Sequence, residues 1–149
     1  MTQDIQGGCR CGAIRYTLEL DQLPPTYACH CHFCQTWSGS AFSQQAMLQD
    51  AELHVAGEPV IYELTGPSGA ISRQRFCGVC HTRLFNANSA RPGVAMLRAG
   101  TLDRSDELAV VAHIWTRRKQ PWVVIADGVP TWAESWTGAE MAEALRSAR

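Results

Sequence analysis

The 149-residue chain has almost no excess charge of either sign: 13 Lys and Arg face 14 Asp and Glu, for a formal net charge of −1. A balance of that kind gives no field that gathers nucleic acid or an anionic membrane. Long apolar runs are missing as well. The longest, "LAVVAHIW" and "WVVIA", fall far short of a bilayer span. The opening "MTQDIQGG" has neither the basic start nor the apolar core of a secretory signal, so a cytoplasmic protein is expected. No internal repeat or linker-like stretch breaks the chain, and a single domain over residues 1–149 is expected. Gly-rich phosphate loops and the H-E-x-x-H and G-x-S-x-G motifs are absent, which removes the sequence grounds for a phosphate cradle, a zincin site or a serine nucleophile.

Cysteine is what the chain has instead. The seven cysteines fall only in close groups. These are Cys9 and Cys11 in "GGCRCGAIRY", Cys29, Cys31 and Cys34 in "ACHCHFCQTW", and Cys77 and Cys80 in "RFCGVCHTRLF". In a reducing compartment such grouping means metal rather than disulfides, and an odd number cannot pair completely. A redox dithiol is the competing reading of "CGVC", but no thioredoxin-like βαβ pattern surrounds it. The apolar fraction of 46% and charged fraction of 18% suit a globular core that needs no disulfide support.

The backbone pattern is mainly β. "AIRYTLEL" (13–20) alternates Ile14, Tyr16, Leu18 and Leu20 with mostly polar partners, the period of a half-buried strand. "SAFSQQAML", "ELHVAGEPVIYEL", "ISRQRF", "GVAMLRAGTL", "LAVVAHIW" and "WVVIA" read as further strands, with Gly57, Pro59, Gly66, Pro67 and Gly69 marking turns. A short helix is expected near residues 138–147, because Thr137 and Glu140 have capping-box spacing ahead of Met141 and Leu145.

Seven thiols divide naturally as four plus three, since structural zinc takes four tetrahedral ligands and catalytic zinc leaves one position open. Cys29, Cys31 and Cys34 are local enough to hold one ion, which leaves Cys9, Cys11, Cys77 and Cys80 for the other. Spacing alone does not forbid exchanging pairs between the two sites. Closing the loop from Cys11 to Cys77 costs about 4 kcal/mol plus a constant. A structural zinc supplies about 10–16 kcal/mol, more than that cost.

The order "GGCRCGAIRY", "CHCHFCQTWSGSAF", "SRQRFCGVCHTRLF", "AGTLD" and "AHIW", then a tryptophan, an aspartate and a proline, resembles the glutathione-dependent formaldehyde-activating (GFA) family over roughly residues 7 to 132. The resemblance implies a β-tent fold, several coiled sheets held by zinc, with two metal sites. It assigns a structural zinc to Cys9, Cys11, Cys77 and Cys80, and a second, open and exchangeable zinc to Cys29, Cys31 and Cys34. It also implies a carbon–sulfur lyase-like activity that joins a glutathione-like thiol to formaldehyde or another small aldehyde. A non-catalytic zinc module for a protein partner or thiol ligand is the alternative. His81 departs from the family pattern, which has glycine there. Both an extra ligand and a strained turn residue are open to it.

The expected chemistry sets its own limit. A free thiol is about 3% ionised at pH 7, so complete deprotonation raises the thiolate concentration only about thirty-fold. Positioning must supply the rest. Candidate helpers are His113, Trp37, Ser38 and Ser40, with Arg73, Arg75, Arg117, Arg118 and Lys119 as partners for a carboxylate. On an extended backbone His30 and His32 point away from the thiols, as outer partners or exposed residues.

Overall fold

The computed structural model describes residues 4–148; the outer residues of the 1–149 domain expectation and of the N-terminal reading lie outside those described. Ten strands and two helices follow one another as β1 (Ile5–Gly8), β2 (Arg15–Leu18), β3 (Thr26–Cys29), α1 (His32–Ser38), β4 (Ser43–Gln49), β5 (Leu53–Ala56), β6 (Val60–Thr65), β7 (Ile71–Phe76), β8 (Arg83–Asn88), β9 (Val94–Arg98), β10 (Val110–Ile114) and α2 (Gly138–Arg146). The fold is mainly β with a short C-terminal helix, as expected. The described residues form two compact units, one of those up to 23 with 46–107, the other of 24–45 with those from 108 onward.

In the first unit, β1, β2 and β5 form a three-stranded sheet, and the end of β4 leads into the order β4-β9-β8-β7-β6. The alternation expected from residue 13 onward is realised: Ile14, Tyr16 and Leu18 are buried while Arg15 and Thr17 stay half-exposed. They join Ile5, Leu48, Leu84, Leu97 and Leu102 in the core. Two antiparallel hairpins matter most. β1 pairs with β2 from Ile5↔Leu18 to Gly8↔Arg15, and β7 pairs with β8 up to Phe76↔Arg83, with a bulge beside Phe76. Each hairpin carries one pair of cysteines at its tip.

In the second unit the order is β10-β3-β4, with β4 entering by Ser43–Gln45. β10 and β3 run parallel, Ile114 opposite Cys29 and His113 opposite Ala28. All four residues of β3 are buried, so it offers no alternation for a sequence pattern to reveal. The capping box of α2 is present in full: Thr137 accepts from the Glu140 amide at 3.2 Å, and Glu140 accepts from the Thr137 amide at 2.7 Å.

Two expectations need correction. "WVVIA" is not a strand. Val123 is buried, but Trp122 and Val124 are 70% and 88% exposed, and the run makes a turn in which the Val123 amide bonds to the Gln120 carbonyl at 3.1 Å. An apolar run without a neighbouring strand to satisfy its backbone cannot become sheet. The stretch after Cys31 is not extended either; it is helix α1. Cys31 caps its start, accepting from the Cys34 amide at 3.4 Å, and Gly39 ends it at φ 63°, a conformation that disfavours a side chain.

Candidate metal centres

Cys9 and Cys11 sit in the connection between β1 and β2, and Cys77 and Cys80 in that between β7 and β8. The two turns are built alike. The Cys9 amide bonds to the Ile14 carbonyl at 3.0 Å, and the Cys77 amide to the Thr82 carbonyl at 2.9 Å, so each closes across six residues. Inside each, backbone amides point at the leading sulfur: Ile14 to Cys9 at 3.2 Å, and Val79 and Cys80 to Cys77 at 3.4 and 3.5 Å. The Arg10 amide then donates to the Thr82 hydroxyl at 3.1 Å and ties one tip to the other.

All four sulfurs lie within 4.8 Å of one another. Cys9 and Cys11 are 3.6 Å apart and Cys11 and Cys77 3.7 Å. A disulfide needs about 2.0 Å. A tetrahedron with metal–sulfur bonds of about 2.3 Å has edges of about 3.8 Å, so these separations fit four ligands around one ion. The donor set suits zinc: four soft sulfurs, with Cys9 and Cys77 buried. Cys80 is pulled down to about 5, first by the Thr82 hydroxyl at 3.2 Å and then by backbone N–H groups.

Gly78 in "CGVC" has a steric role: a Cβ there would meet Val60 Cγ2 at 2.9 Å, so glycine admits the close pass of β6. Positive φ falls to His81 instead, at 62°. Its side chain is exposed, and it is not part of either sulfur group. It is therefore the strained turn residue of the two expected alternatives. A non-glycine residue in this region costs about 1–2 kcal/mol, partly offset in a glycine variant by about 0.5–1 kcal/mol of chain entropy. His81→Gly should melt at or slightly above the wild-type temperature, and His81→Val clearly below it. Thermal melts of the pair, with metal content unchanged in His81→Gly, check this.

The trio sits where β3 meets α1. Cys29 ends β3, Cys31 caps α1 and Cys34 lies in its first turn; their sulfurs also fall within 4.8 Å of one another. Cys29 is buried, whereas Cys31 and Cys34 are half-buried and reach solvent. Hydrogen bonds from Cys31 and Cys34, then burial, push Cys29 up, while Cys29 and Cys34 pull Cys31 down. Neighbouring thiolates repel one another, so removing all three protons calls for a cation among the sulfurs. Gln45 reaches in from β4, donating from Nε2 to Cys34 Sγ at 3.5 Å and accepting from the Tyr27 hydroxyl at 2.9 Å. The signal for Gln45 was a polar side chain on the inward register of a strand. Tyr27, Cys29, Ala112, Ile114 and Trp136 form the core beneath, with Cys31, Cys34 and Trp115 packed on it.

The helper residues scatter. His30 is fully buried, its ring tilted against Phe42 and stacked on that of His113, with its Nε2 2.8 Å from His113 Nδ1. Burial first, then the charges of His113 and Lys119, bring His30 down to about 4; burial also lowers His113. Both shifts favour the neutral ring. His32 is exposed on α1, and Ser38 is spent on the Gln35 and Phe42 carbonyls at 3.5 and 3.2 Å. A polar groove of about 530 Å³ runs beside α1, lined by Gln35, Thr36, Ser40, Gln120 and Trp122; Trp37 is not among its walls. Four of the five candidate cations are engaged: Arg73 with Glu63, Arg117 with Glu134, Arg75 over the Phe85 ring, and Lys119 with the Gln120 and Val123 carbonyls. Arg118 is exposed and forms no ion pair among the described residues; its carbonyl accepts from Gln35 Nε2 at 2.9 Å. Trp115, at φ 58°, makes the bend that delivers Arg117 and Arg118.

No curated protein matches the chain. Its fold is similar to the crystal structure of a Rhodobacter sphaeroides protein, with a TM-score of 0.52 and 19% identity, covering 85% of this chain and 98% of that one. At that identity the likeness bears on fold alone. The family described as glutathione-dependent formaldehyde-activating enzyme matches residues 4–118, which takes in all seven cysteines and stops short of the later tryptophan, aspartate and proline. Two cysteine groups that could each hold a metal ion, and a match over well more than half of the chain, place this protein in the GFA family.

Proposed function

We propose that the chain is a single GFA-type domain and a zinc-dependent, carbon–sulfur lyase-like enzyme that joins a glutathione-like thiol to formaldehyde or another small aldehyde. The match over residues 4–118 takes in parts of both compact units and supports reading them as one domain. Cys9, Cys11, Cys77 and Cys80 would hold the structural ion, and Cys29, Cys31 and Cys34 the open one. One observation carries the reading: the second group has three sulfurs rather than four, and two of its three residues are only half-buried. A zinc ion held by Cys29, Cys31 and Cys34 would supply the positive charge that favours the thiolate form of an incoming thiol at neutral pH.

The chain's own residues do the remainder. Cys31 and Cys34 leave the entrance open on the side of α1, and the groove of Gln35, Gln120 and Trp122 offers amide and indole groups to the rest of a peptide-like thiol. Arg118, whose carbonyl is held by the groove residue Gln35 and whose side chain forms no ion pair among the described residues, would pair with a carboxylate of that molecule. In the reaction the S–H proton leaves, sulfur forms a bond to the carbonyl carbon, and the displaced C=O π electrons take up a proton on oxygen. No electron acceptor is involved. The decisive experiment follows adduct formation from glutathione and formaldehyde by NMR, with native mass spectrometry counting metal with and without glutathione. Acceleration over the buffer rate together with two ions per chain is expected; the buffer rate in fully loaded protein would overturn the reading.

Arg118→Ala should raise KM for glutathione up to about five-fold and leave kcat unchanged, the loss expected for one exposed ion pair. Initial rates at varied thiol concentration test it. The non-catalytic alternative draws on one observation: Phe33, next to Cys34 on α1, is 65% exposed, as a protein-contact residue would be.

A further inference from the structure

We infer that Gln45 is a positioning residue for the three-cysteine group: its side-chain amide, oriented by Tyr27, holds Cys34 in place and spreads the charge of its thiolate. The inference rests on the function proposed above, since it takes Cys34 as a metal ligand. Cys31 receives its hydrogen bond locally, from the Cys34 amide at the start of α1. Cys34 receives one from a separate element, Gln45 Nε2 of β4 at 3.5 Å. Gln45 is 7% exposed, and water cannot easily replace that donor.

The amide has two unlike ends. Its oxygen accepts from the Tyr27 hydroxyl at 2.9 Å, which leaves the NH₂ group for sulfur. The reverse orientation would set an oxygen lone pair against a thiolate, which only accepts. Tyr27 is itself fixed: it is 4% exposed, and its ring lies 4.9 Å from that of Trp136. Trp136, Tyr27, Gln45 and Cys34 thus form a continuous line from the buried core to the sulfur at the mouth. A buried polar side chain on the inner face of a strand is costly unless it is paired, and this one is paired at both ends. Outer partners of this kind orient a ligand and change its basicity, so losing one weakens the metal site about ten- to a hundred-fold.

The test uses the full chain with zinc in the four-cysteine group and cobalt(II) titrated into the other. The thiolate-to-cobalt absorption band reports charge on sulfur, which a purely structural role would not move. Gln45→Leu should bind cobalt about ten- to a hundred-fold more weakly, with the band displaced. Gln45→Glu, which sets a carboxylate against the thiolate, should bind more weakly still. Tyr27→Phe removes one oxygen and no packing volume. It should move the band in the same direction by less, and it serves even if the Gln45 variants fold poorly. Wild-type affinity and an unmoved band in Gln45→Leu or Tyr27→Phe overturn the inference and leave the three-sulfur reading standing. A wild-type chain that takes no cobalt at the trio overturns both.

Discussion

Cys77→Ser protein is expected to be insoluble or largely unfolded, with far-UV circular dichroism short of wild type and fewer metal ions by native mass spectrometry. Cys77 is 1% exposed, lies 3.7 Å from Cys11 across 66 residues of chain, and accepts two backbone amides at the tip of the β7–β8 hairpin. Serine offers a neutral oxygen, a poor substitute for a thiolate on a soft-ligand ion. The energies decide the size of the effect. A closed four-sulfur zinc contributes about 10–16 kcal/mol to folding. A whole domain is stable by only about 5–15 kcal/mol, so losing most of that contribution leaves little or nothing. Without the ion, the two hairpin tips are left with single hydrogen bonds such as Arg10–Thr82 and with neighbouring sulfurs that resist joint ionisation. Cys31→Ser should behave differently, because its sulfur belongs to the other group and the core under it stays intact. If Cys77→Ser and Cys31→Ser melt at the same temperature, the assignment of a structural ion to the first group is wrong.

How much of this was visible in the sequence depends on which kind of signal each part leaves. Cysteine pairs are local and chemically distinctive, so both groups were legible from spacing, and the structure brings together the same residues. The β2 alternation and the α2 capping box are also local, and both were read correctly. Signals that need a partner were lost. β3 is buried on both faces and shows no alternation, and "WVVIA" has strand composition but no neighbour to pair with. Helix α1 begins with a cysteine sulfur as its cap, a role composition does not advertise, although Gly39 was available as a stop signal. Gln45 is legible only once β4 is known to point it inward toward a sulfur eleven residues away. Arg118 could not be told from its neighbours until the ion pairs of Arg73 and Arg117 were in view.

Cys34→Ser is expected to fold with a melting temperature near wild type, retain the ion of the four-cysteine group, lose the other, and fall to the uncatalysed rate of thiol addition. Folding should survive because Cys34 is half-buried, α1 has no buried residue, and the capping bond uses the Cys34 backbone amide rather than its sulfur. The size of the rate loss then discriminates between two sources of catalysis. Ionisation alone can have supplied at most about thirty-fold, because about 3% of a free thiol is thiolate already at pH 7. The lower basicity of a stabilised thiolate reduces even that. A loss of up to about thirty-fold would mean that the trio only deprotonates its substrate. A larger loss would show that the site also fixes thiol and aldehyde in a reactive arrangement, for which effective concentrations reach about 10⁵ M or more. Under the proposed function the groove of Gln35, Gln120 and Trp122 would do that, and the loss should then exceed about thirty-fold. Rates measured by NMR exchange at fixed pH, on protein whose metal content is counted in the same sample, separate these cases. Unchanged activity in well-folded Cys34→Ser would remove the catalytic role from the trio and favour a zinc module that binds a partner through the α1 surface around Phe33.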